Sequence, residues 1–124
     1  MSNRKRNLSG SGKEILESLC DALEIERPLA LKIALAKGIT QGVKNEGLEQ
    51  FKDNKDKWTI GEGLIKDKDY ILFKHLIINE QNQALNDDEV SDFFLLYIEV
   101  GLRVIKRNLT DQTSLEDFRI KILQ

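Results

Sequence analysis

The chain has 124 residues, of which 40% are hydrophobic and 32% are charged, and its formal net charge is -2. These values are typical of a soluble globular protein of one domain, and they exclude an intrinsically disordered chain. The single cysteine excludes an internal disulfide and a zinc site built from several cysteines. No stretch approaches 18 consecutive apolar residues and no signal-peptide core follows the basic start, so we expect a cytoplasmic protein.

Charge is unevenly distributed along the chain. Residues 1–13 contain four basic and no acidic side chains, whereas residues 41–89 contain seven basic and eleven acidic ones. The slightly acidic total argues against a nucleic-acid binder unless basic side chains from separate segments gather on one surface. The sequence alone does not show whether they do.

Residues 1–10 form a basic arm, and its first seven residues have no apolar side chain apart from Met1. Two interpretations stay open for it. One is a frayed, solvated tail, and the other is an arm or short ribbon that contacts phosphates through Arg4, Lys5 and Arg6. A ribbon strand would pair with that of a second subunit and alternate its side chains. Only Leu8 is suited to face inward here.

The stretch Ser9-Gly10-Ser11-Gly12-Lys13 has some of the residues of a phosphate loop. It lacks the preceding buried strand and the longer glycine frame, and Glu14 follows Lys13 in place of Ser or Thr. We therefore expect no nucleotide site but a flexible entry to a helix, capped by Ser11 with Glu14. Lys13 would lie near the helix N-terminus, where the helix dipole favours a phosphate.

Residues 11–39 are predicted to form two helices joined by a short turn. Apolar residues recur at helical spacing at 15, 16, 19 and 23, and Pro28 suits the first turn of the second helix. The second helix is apolar on most sides, which predicts that it is buried. Its three alanines and Gly38 would let another backbone come close, and Gly38 is also a plausible stop, although the helix may continue past it.

The polar middle of the chain, residues 40–85, is consistent with two structures. Trp58-Thr59-Ile60 and the following apolar segments suggest a short hairpin. The alternative, which we prefer, is a helix capped by Asp69 that runs to Asn79 and buries Leu72, Phe73, Leu76 and Ile77.

Residues 86–124 contain the strongest periodic signal. Asn86 with Glu89 begins a helix, and apolar residues at 90, 93, 94, 97, 98, 101, 104 and 105 predict a central core helix over 87–108. The last turn of this helix carries Arg103, Lys106 and Arg107, which suits the negative end of the helix dipole and would equally suit a DNA contact. Thr113 with Glu116 predicts a final short helix.

No arrangement typical of an enzyme is present, so the sequence predicts no catalytic residue, no metal ligand and no cofactor. Cys20 is interpreted as a packing residue because Glu17, Asp21 and Glu24 would disfavour a thiolate. His75, the only histidine, has no ligand partners at metal spacing. Asp67, Asp69 and Asp87-Asp88-Glu89 leave open a metal-dependent DNA-nicking enzyme as a minor alternative, but they lie in ordinary cap and turn positions.

The two ends of the chain carry a set of residues whose order and spacing are typical of a known family: Leu8-Ser9, Leu16, Leu19, Ile25-x-x-Pro28, Ala30, Ala34, Ile39, Glu99, Gly101, Leu102 and Ser114-Leu115-Glu116-Asp117-Phe118. In these residues the chain resembles the DndE family, small proteins of the bacterial DNA phosphorothioation (DNA sulfur modification) system. Residues 40–70 are matched only loosely, and no single motif is specific to the family.

The resemblance implies a mainly α fold: a single helical domain with a ribbon-helix-helix-like N-terminal unit and a long central C-terminal helix. It also implies a homo-oligomer that binds duplex DNA, preferably nicked, together with other sulfur-modification proteins. The DNA-binding candidates are all basic: Arg4, Lys5, Arg6, Lys13, Arg27, Lys32, Lys37, Arg103, Lys106 and Arg107. A second hypothesis is a helical adaptor that docks on a larger modification or defence enzyme without touching DNA, which the acidic middle favours.

Overall fold

The computed structural model describes residues 6–43, 58–60 and 67–111. Within them the chain forms two short strands and four helices. In chain order the elements are β1 (Arg6–Leu8), α1 (Gly10–Leu23), α2 (Arg27–Gln41), β2 (Trp58–Ile60), α3 (Asp67–Gln81) and α4 (Asp87–Asp111). The predicted mainly α fold is therefore confirmed. None of the helices in the described ranges is long and apolar enough to cross a membrane.

α4 is the central helix, as its periodicity predicts, but it ends at Asp111 rather than at residue 108. The predicted placement of Arg103, Lys106 and Arg107 in its last turn is therefore wrong, because that turn contains no basic residue. It contacts α2, α1, α3 and β1, with the largest contact to α2. Every residue from Phe94 to Leu102 is buried, because the helix is surrounded over this stretch rather than covered on one side. Its start is a reciprocal cap in which the Glu89 amide donates to the Asn86 side chain at 2.8 Å and the Asn86 amide donates to the Glu89 carboxylate at 3.0 Å.

α1 begins earlier than predicted, and its cap is a different serine. Ser9 is the N-cap, its backbone is extended, and its hydroxyl accepts the Gly12 amide at 2.9 Å. The predicted Ser11–Glu14 capping box is therefore wrong, because Gly10, Ser11 and Gly12 already form the first helical turn. Ile15, Leu16 and Leu19 are buried as the spacing predicts.

α2 does not stop at Gly38 but continues to Gln41, and Gly42 ends it with a positive φ of 81°. Gly38 instead allows α2 to pack closely against α4. A Cβ at Gly38 would overlap the carbonyl oxygen of Tyr97, and a Cβ at Gly101 would overlap that of Ala34. The backbones of α2 and α4 thus touch, as the small residues of α2 predict. Ala30, Leu31, Ala34 and Leu35 are buried, whereas Leu29 and Ala36 on the outer face are exposed, so one chain covers only part of the surface predicted to be buried.

The two strands form a ribbon within one chain. β1 and β2 pair antiparallel, with Arg6 opposite Ile60, Asn7 opposite Thr59 and Leu8 opposite Trp58. Leu8 is buried, as expected, and Asn7 on the other face is exposed. Residues 58–60 therefore pair with the N-terminal arm, and the apolar segment that would complete the predicted hairpin lies outside the described residues.

α3 confirms the helical alternative for the middle of the chain and extends it to residues 67–81. Its burial differs from the prediction. Ile77 is buried and Phe73 is partly buried, but Leu72 is 55% exposed and Leu76 is 40% exposed. With Ile71, they form an exposed apolar face, called here the α3 apolar face.

Several predictions concern residues outside the described ranges. They include contacts by Arg4 and Lys5 and the helix that Thr113 would begin. The same holds for the Ser114–Phe118 segment of the family resemblance.

Candidate functional site

A buried polar cluster joins the beginning of α1 to the middle of α4. We call it the Ser9–Glu99–Arg103 cluster. The carboxylate of Glu99 accepts the Ser9 amide at 3.2 Å and the Ser9 hydroxyl at 3.1 Å. Arg103, one turn further along α4, donates to the same carboxylate at 3.2 Å and to the Ser9 hydroxyl oxygen at 3.3 Å. Each oxygen of Glu99 therefore receives at least one donor.

The cluster is asymmetric in its exposure to water. Glu99 is 2% exposed, whereas the Arg103 side chain is 29% exposed. Burial raises the pKa of the Glu99 carboxyl above its ordinary value, because a charge is poorly solvated in the interior. Arg103 and the two Ser9 donors oppose part of that rise, since they favour the ionised form.

Gly12 makes room for the Glu99 carboxylate. A Cβ at Gly12 would overlap one carboxylate oxygen of Glu99 and would lie 3.0 Å from the Ser9 hydroxyl oxygen. A carboxylate thus already occupies the N-terminal end of α1, where the helix dipole favours an anion. A phosphate contact by Lys13 would have to be made beside Glu99 rather than at the N-terminus itself.

Three predicted DNA-binding residues lie together on α4. Arg103, Lys106 and Arg107 are spaced i, i+3 and i+4, so they share one face of the helix, called here the α4 basic ridge. Lys106 and Arg107 are exposed. Because Arg103 reaches Ser9, the ridge begins next to the first turn of α1, where the Lys13 amide bonds the Ser9 carbonyl at 2.9 Å. The backbone of Lys13 therefore lies near the start of the ridge.

The basic residues of α2 do not share a face. Arg27, Lys32 and Lys37 are five residues apart, and each step turns them about 140° around the helix. Arg27 pairs with Glu17 at 3.5 Å, and Lys32 forms an ion pair with Asp69 of α3. Lys37 is half-buried. These three cations therefore do not form one basic face of α2.

Arg6 is the only member of the predicted N-terminal triplet within the described residues. Its backbone is in β1, which contacts α4. The arm therefore enters the fold near the helix that carries the ridge.

Comparison of the chain with protein-family models, curated proteins and solved structures finds no match. The resemblance to the DndE family consequently stays a prediction. Its residues are nevertheless informative about the fold. Most of those in the described ranges are buried: Leu8, Ser9, Leu16, Leu19, Ala30, Ala34, Glu99, Gly101 and Leu102. The hydrogen bonds between Ser9 and Glu99 connect the two ends of the chain that carry it.

Other side chains of reactive or metal-binding types have surroundings typical of structural residues. Cys20 packs against the core, and burial raises the pKa of its thiol, which disfavours the reactive thiolate. It borders a surface groove at the α1–α2 turn, lined by Glu17, Asp21, Ile25, Glu26, Arg27 and Pro28. His75 is exposed. Asp87 lies 3.9 Å from Lys74. In the part of the chain that the structure describes, no three His, Cys, Asp or Glu side chains are grouped to hold a metal ion.

Sequence analysis did not identify the cluster as a site, although Ser9 and Glu99 appear in the family resemblance. One signal was available. Glu99 lies between the apolar residues Ile98 and Val100, and the preceding turn holds Leu95 and Leu96, so the pattern favours its burial. Its partner could not be found in this way, because Ser9 is ninety residues away.

Proposed function

We propose that the chain is a DNA-binding accessory subunit of a DNA phosphorothioation system, resembling DndE, that binds nicked duplex DNA through the α4 basic ridge and the N-terminal arm. The observation that carries the proposal is the hydrogen-bonded contact of Ser9 with Glu99. It joins the two segments on which the resemblance rests, and the Lys13 backbone lies near the start of the ridge.

The order of the first elements supports the same proposal. β1, α1 and α2 follow one another as strand, helix, helix, the order of a ribbon-helix-helix unit. β1 pairs with β2 of the same chain, whereas in a two-fold ribbon it would pair with the strand of a second subunit. Base reading by a ribbon between subunits is therefore not part of the proposal, which relies on phosphate contacts and duplex shape.

A preference for nicked DNA has a physical basis. A nick interrupts one strand and lowers the cost of bending the duplex, so a protein that holds phosphates on a bent path gains affinity. Because the chain has a net charge of -2, several copies are proposed to combine their basic residues on one duplex. Other sulfur-modification proteins would supply the sulfur chemistry.

The test is a binding titration of the purified protein with intact, nicked and single-stranded DNA at several salt concentrations, with the oligomer mass measured in parallel. Tightest binding to nicked duplex, with affinity falling steeply as salt rises, supports the proposal. Replacing Arg4, Lys5 and Arg6 together by neutral residues should weaken binding to the nicked duplex. Absence of binding at low salt would refute the proposal.

The adaptor hypothesis has an observation of its own, which is the α3 apolar face. Leu72 and Leu76 are neighbours on the helix, and three large apolar side chains exposed on one helix are typical of a protein contact. Replacing both leucines by Ser should then abolish binding to the purified larger modification enzyme. Such binding without any DNA binding at low salt would favour the adaptor over the DNA-binding subunit.

A further inference from the structure

Arg103 connects the buried Glu99 carboxylate with solvent. Its guanidinium donates to Glu99 at 3.2 Å, while more than a quarter of its side chain is exposed. It is also the first residue of the α4 basic ridge. The cation that neutralises the buried carboxylate is therefore a cation within reach of an external phosphate.

The two uses of this guanidinium compete. A phosphate is a strong bidentate partner for arginine, and a phosphate that draws Arg103 outward takes it from Glu99. Arg103 is the charged side chain that acts on Glu99 within the described residues. The α1 N-cap Ser9 and Gly12 in the first turn of α1 also meet the carboxylate, and neither side chain carries a charge. Without Arg103, the ionised carboxylate would be buried and uncompensated, a state that proteins avoid by protonation.

Ser9 can accommodate both protonation states of Glu99. Its amide donates to one carboxylate oxygen, and its hydroxyl lies 3.1 Å from the other. If a proton binds to that second oxygen, the new O–H can donate to the Ser9 hydroxyl oxygen, since a hydroxyl both donates and accepts. Protonation of Glu99 therefore does not break the contact between α1 and α4.

From this geometry we infer that Glu99 and Arg103 form a proton-linked latch: a polyanion that captures Arg103 causes the protein to take up a proton at Glu99. The inference rests on the proposed function for the identity of the natural polyanion, nicked duplex DNA. The proton comes from the buffer and binds to a carboxylate oxygen of Glu99.

The latch predicts the direction in which polyanion binding depends on pH. Because binding is accompanied by proton uptake, affinity rises as the pH falls through the range in which Glu99 titrates. The raised pKa of the Glu99 carboxyl moves that range upward from 4.5. At pH values below it, Glu99 is already protonated in the free protein and the dependence disappears. The uptake is limited to about one proton per chain.

Calorimetry in two buffers of different ionisation enthalpy measures this uptake directly. The ligands are a short nicked duplex and dextran sulfate, a polyanion that is not a nucleic acid. We expect the wild type to take up part of a proton per chain with both ligands, Glu99→Gln to take up none, and the exposed control Glu26→Gln to match the wild type. Equal uptake by the wild type and Glu99→Gln would overturn the latch.

A second measurement keeps the inference falsifiable if Glu99→Gln does not fold. The titration of the Glu99 side-chain carbonyl is followed by NMR in the wild type and in Arg103→Met. We expect the midpoint to rise in Arg103→Met, and an unchanged midpoint would overturn the latch. Proton uptake with dextran sulfate but no DNA binding would refute the proposed function alone, whereas DNA binding without proton uptake would refute the latch alone.

Discussion

α4 makes two contacts of opposite character with the N-terminal half of the chain. At Gly38 and Gly101 its backbone touches that of α2, and the contact is made possible by missing side chains. At Glu99 it meets the beginning of α1 through a buried carboxylate that accepts two hydrogen bonds from Ser9 and one from Arg103. The first contact is fixed by shape and the second by charge and hydrogen bonding. The difference predicts that mutations, pH and salt act on them differently.

A mutation at the backbone contact between α2 and α4 should have the largest effect on stability. Gly38→Val places a branched side chain against the Tyr97 carbonyl, and the α4 backbone cannot yield as a flexible side chain would. We expect a loss of about 3 kcal/mol or more in the free energy of unfolding, measured by urea titration. The control is Ala36→Val on the exposed face of the same helix, which should cost less than about 1 kcal/mol. Similar losses in the two variants would contradict close packing at Gly38.

The charge contact should be next in size. Glu99→Ala leaves the Ser9 amide without its acceptor and Arg103 without its carboxylate. We expect a loss of about 2–3 kcal/mol in the free energy of unfolding, because hydrogen bonds to charged groups are involved. Glu26→Ala is the matched control, since Glu26 is exposed and makes no side-chain cap bond. It should change stability by less than about 0.5 kcal/mol.

The position of the helix cap gives a smaller effect. Ser9→Ala removes both the acceptor for the Gly12 amide and a donor to Glu99, and should cost about 1–2 kcal/mol in the free energy of unfolding. Ser18→Ala, on the exposed face of the same helix, should be nearly neutral. Ser11→Ala is expected to cost less than Ser9→Ala. A larger loss for Ser11→Ala than for Ser9→Ala, measured in the same urea titrations, would indicate that Ser11 is the cap, as the sequence predicts.

The pH dependence of stability should distinguish the two contacts most finely. The pKa of Glu99 is raised by burial, so the folded protein binds a proton at Glu99 more tightly than the unfolded chain does. The stability of the wild type relative to Glu99→Gln should therefore fall as the pH rises from 4.5 through the raised pKa, and level off above it. Gly38→Val should follow the wild-type pH profile at lower stability. A wild-type advantage that grows with pH would contradict the assigned direction.

Much of the fold follows from local patterns. The spacing of apolar residues predicts α1, α2 and α4, and the small residues of α2 predict its close contact with another backbone. The Asn86–Glu89 cap is also predicted, because both partners lie within one turn. The Ser11 cap is wrong because Ser9, two residues earlier, satisfies the Gly12 amide and bonds Glu99 as well.

The features that sequence analysis did not predict depend on distant partners. The pairing of β1 with β2 joins residues about fifty apart, and the Ser9–Glu99 contact joins residues ninety apart. Leu72 and Leu76 have the spacing of a core pair, yet no described element covers them. For the DNA-binding candidates, the residue type was the only signal available. Helical geometry places the three cations of the α4 basic ridge on one face and spreads the three cations of α2 around that helix.

The salt dependence of DNA binding tests the proposed function most directly. Lys106→Gln/Arg107→Gln removes two cations of the ridge, and Lys68→Gln/Lys74→Gln removes two from α3 as a control with the same net charge. For a nicked duplex, the slope of log K against log salt should become shallower by up to about 1.8 per bound chain in the ridge variant, because each phosphate contact contributes about 0.9. The control should keep the wild-type slope. Equal slopes in the wild type and the ridge variant would contradict the proposal that this face of α4 contacts DNA.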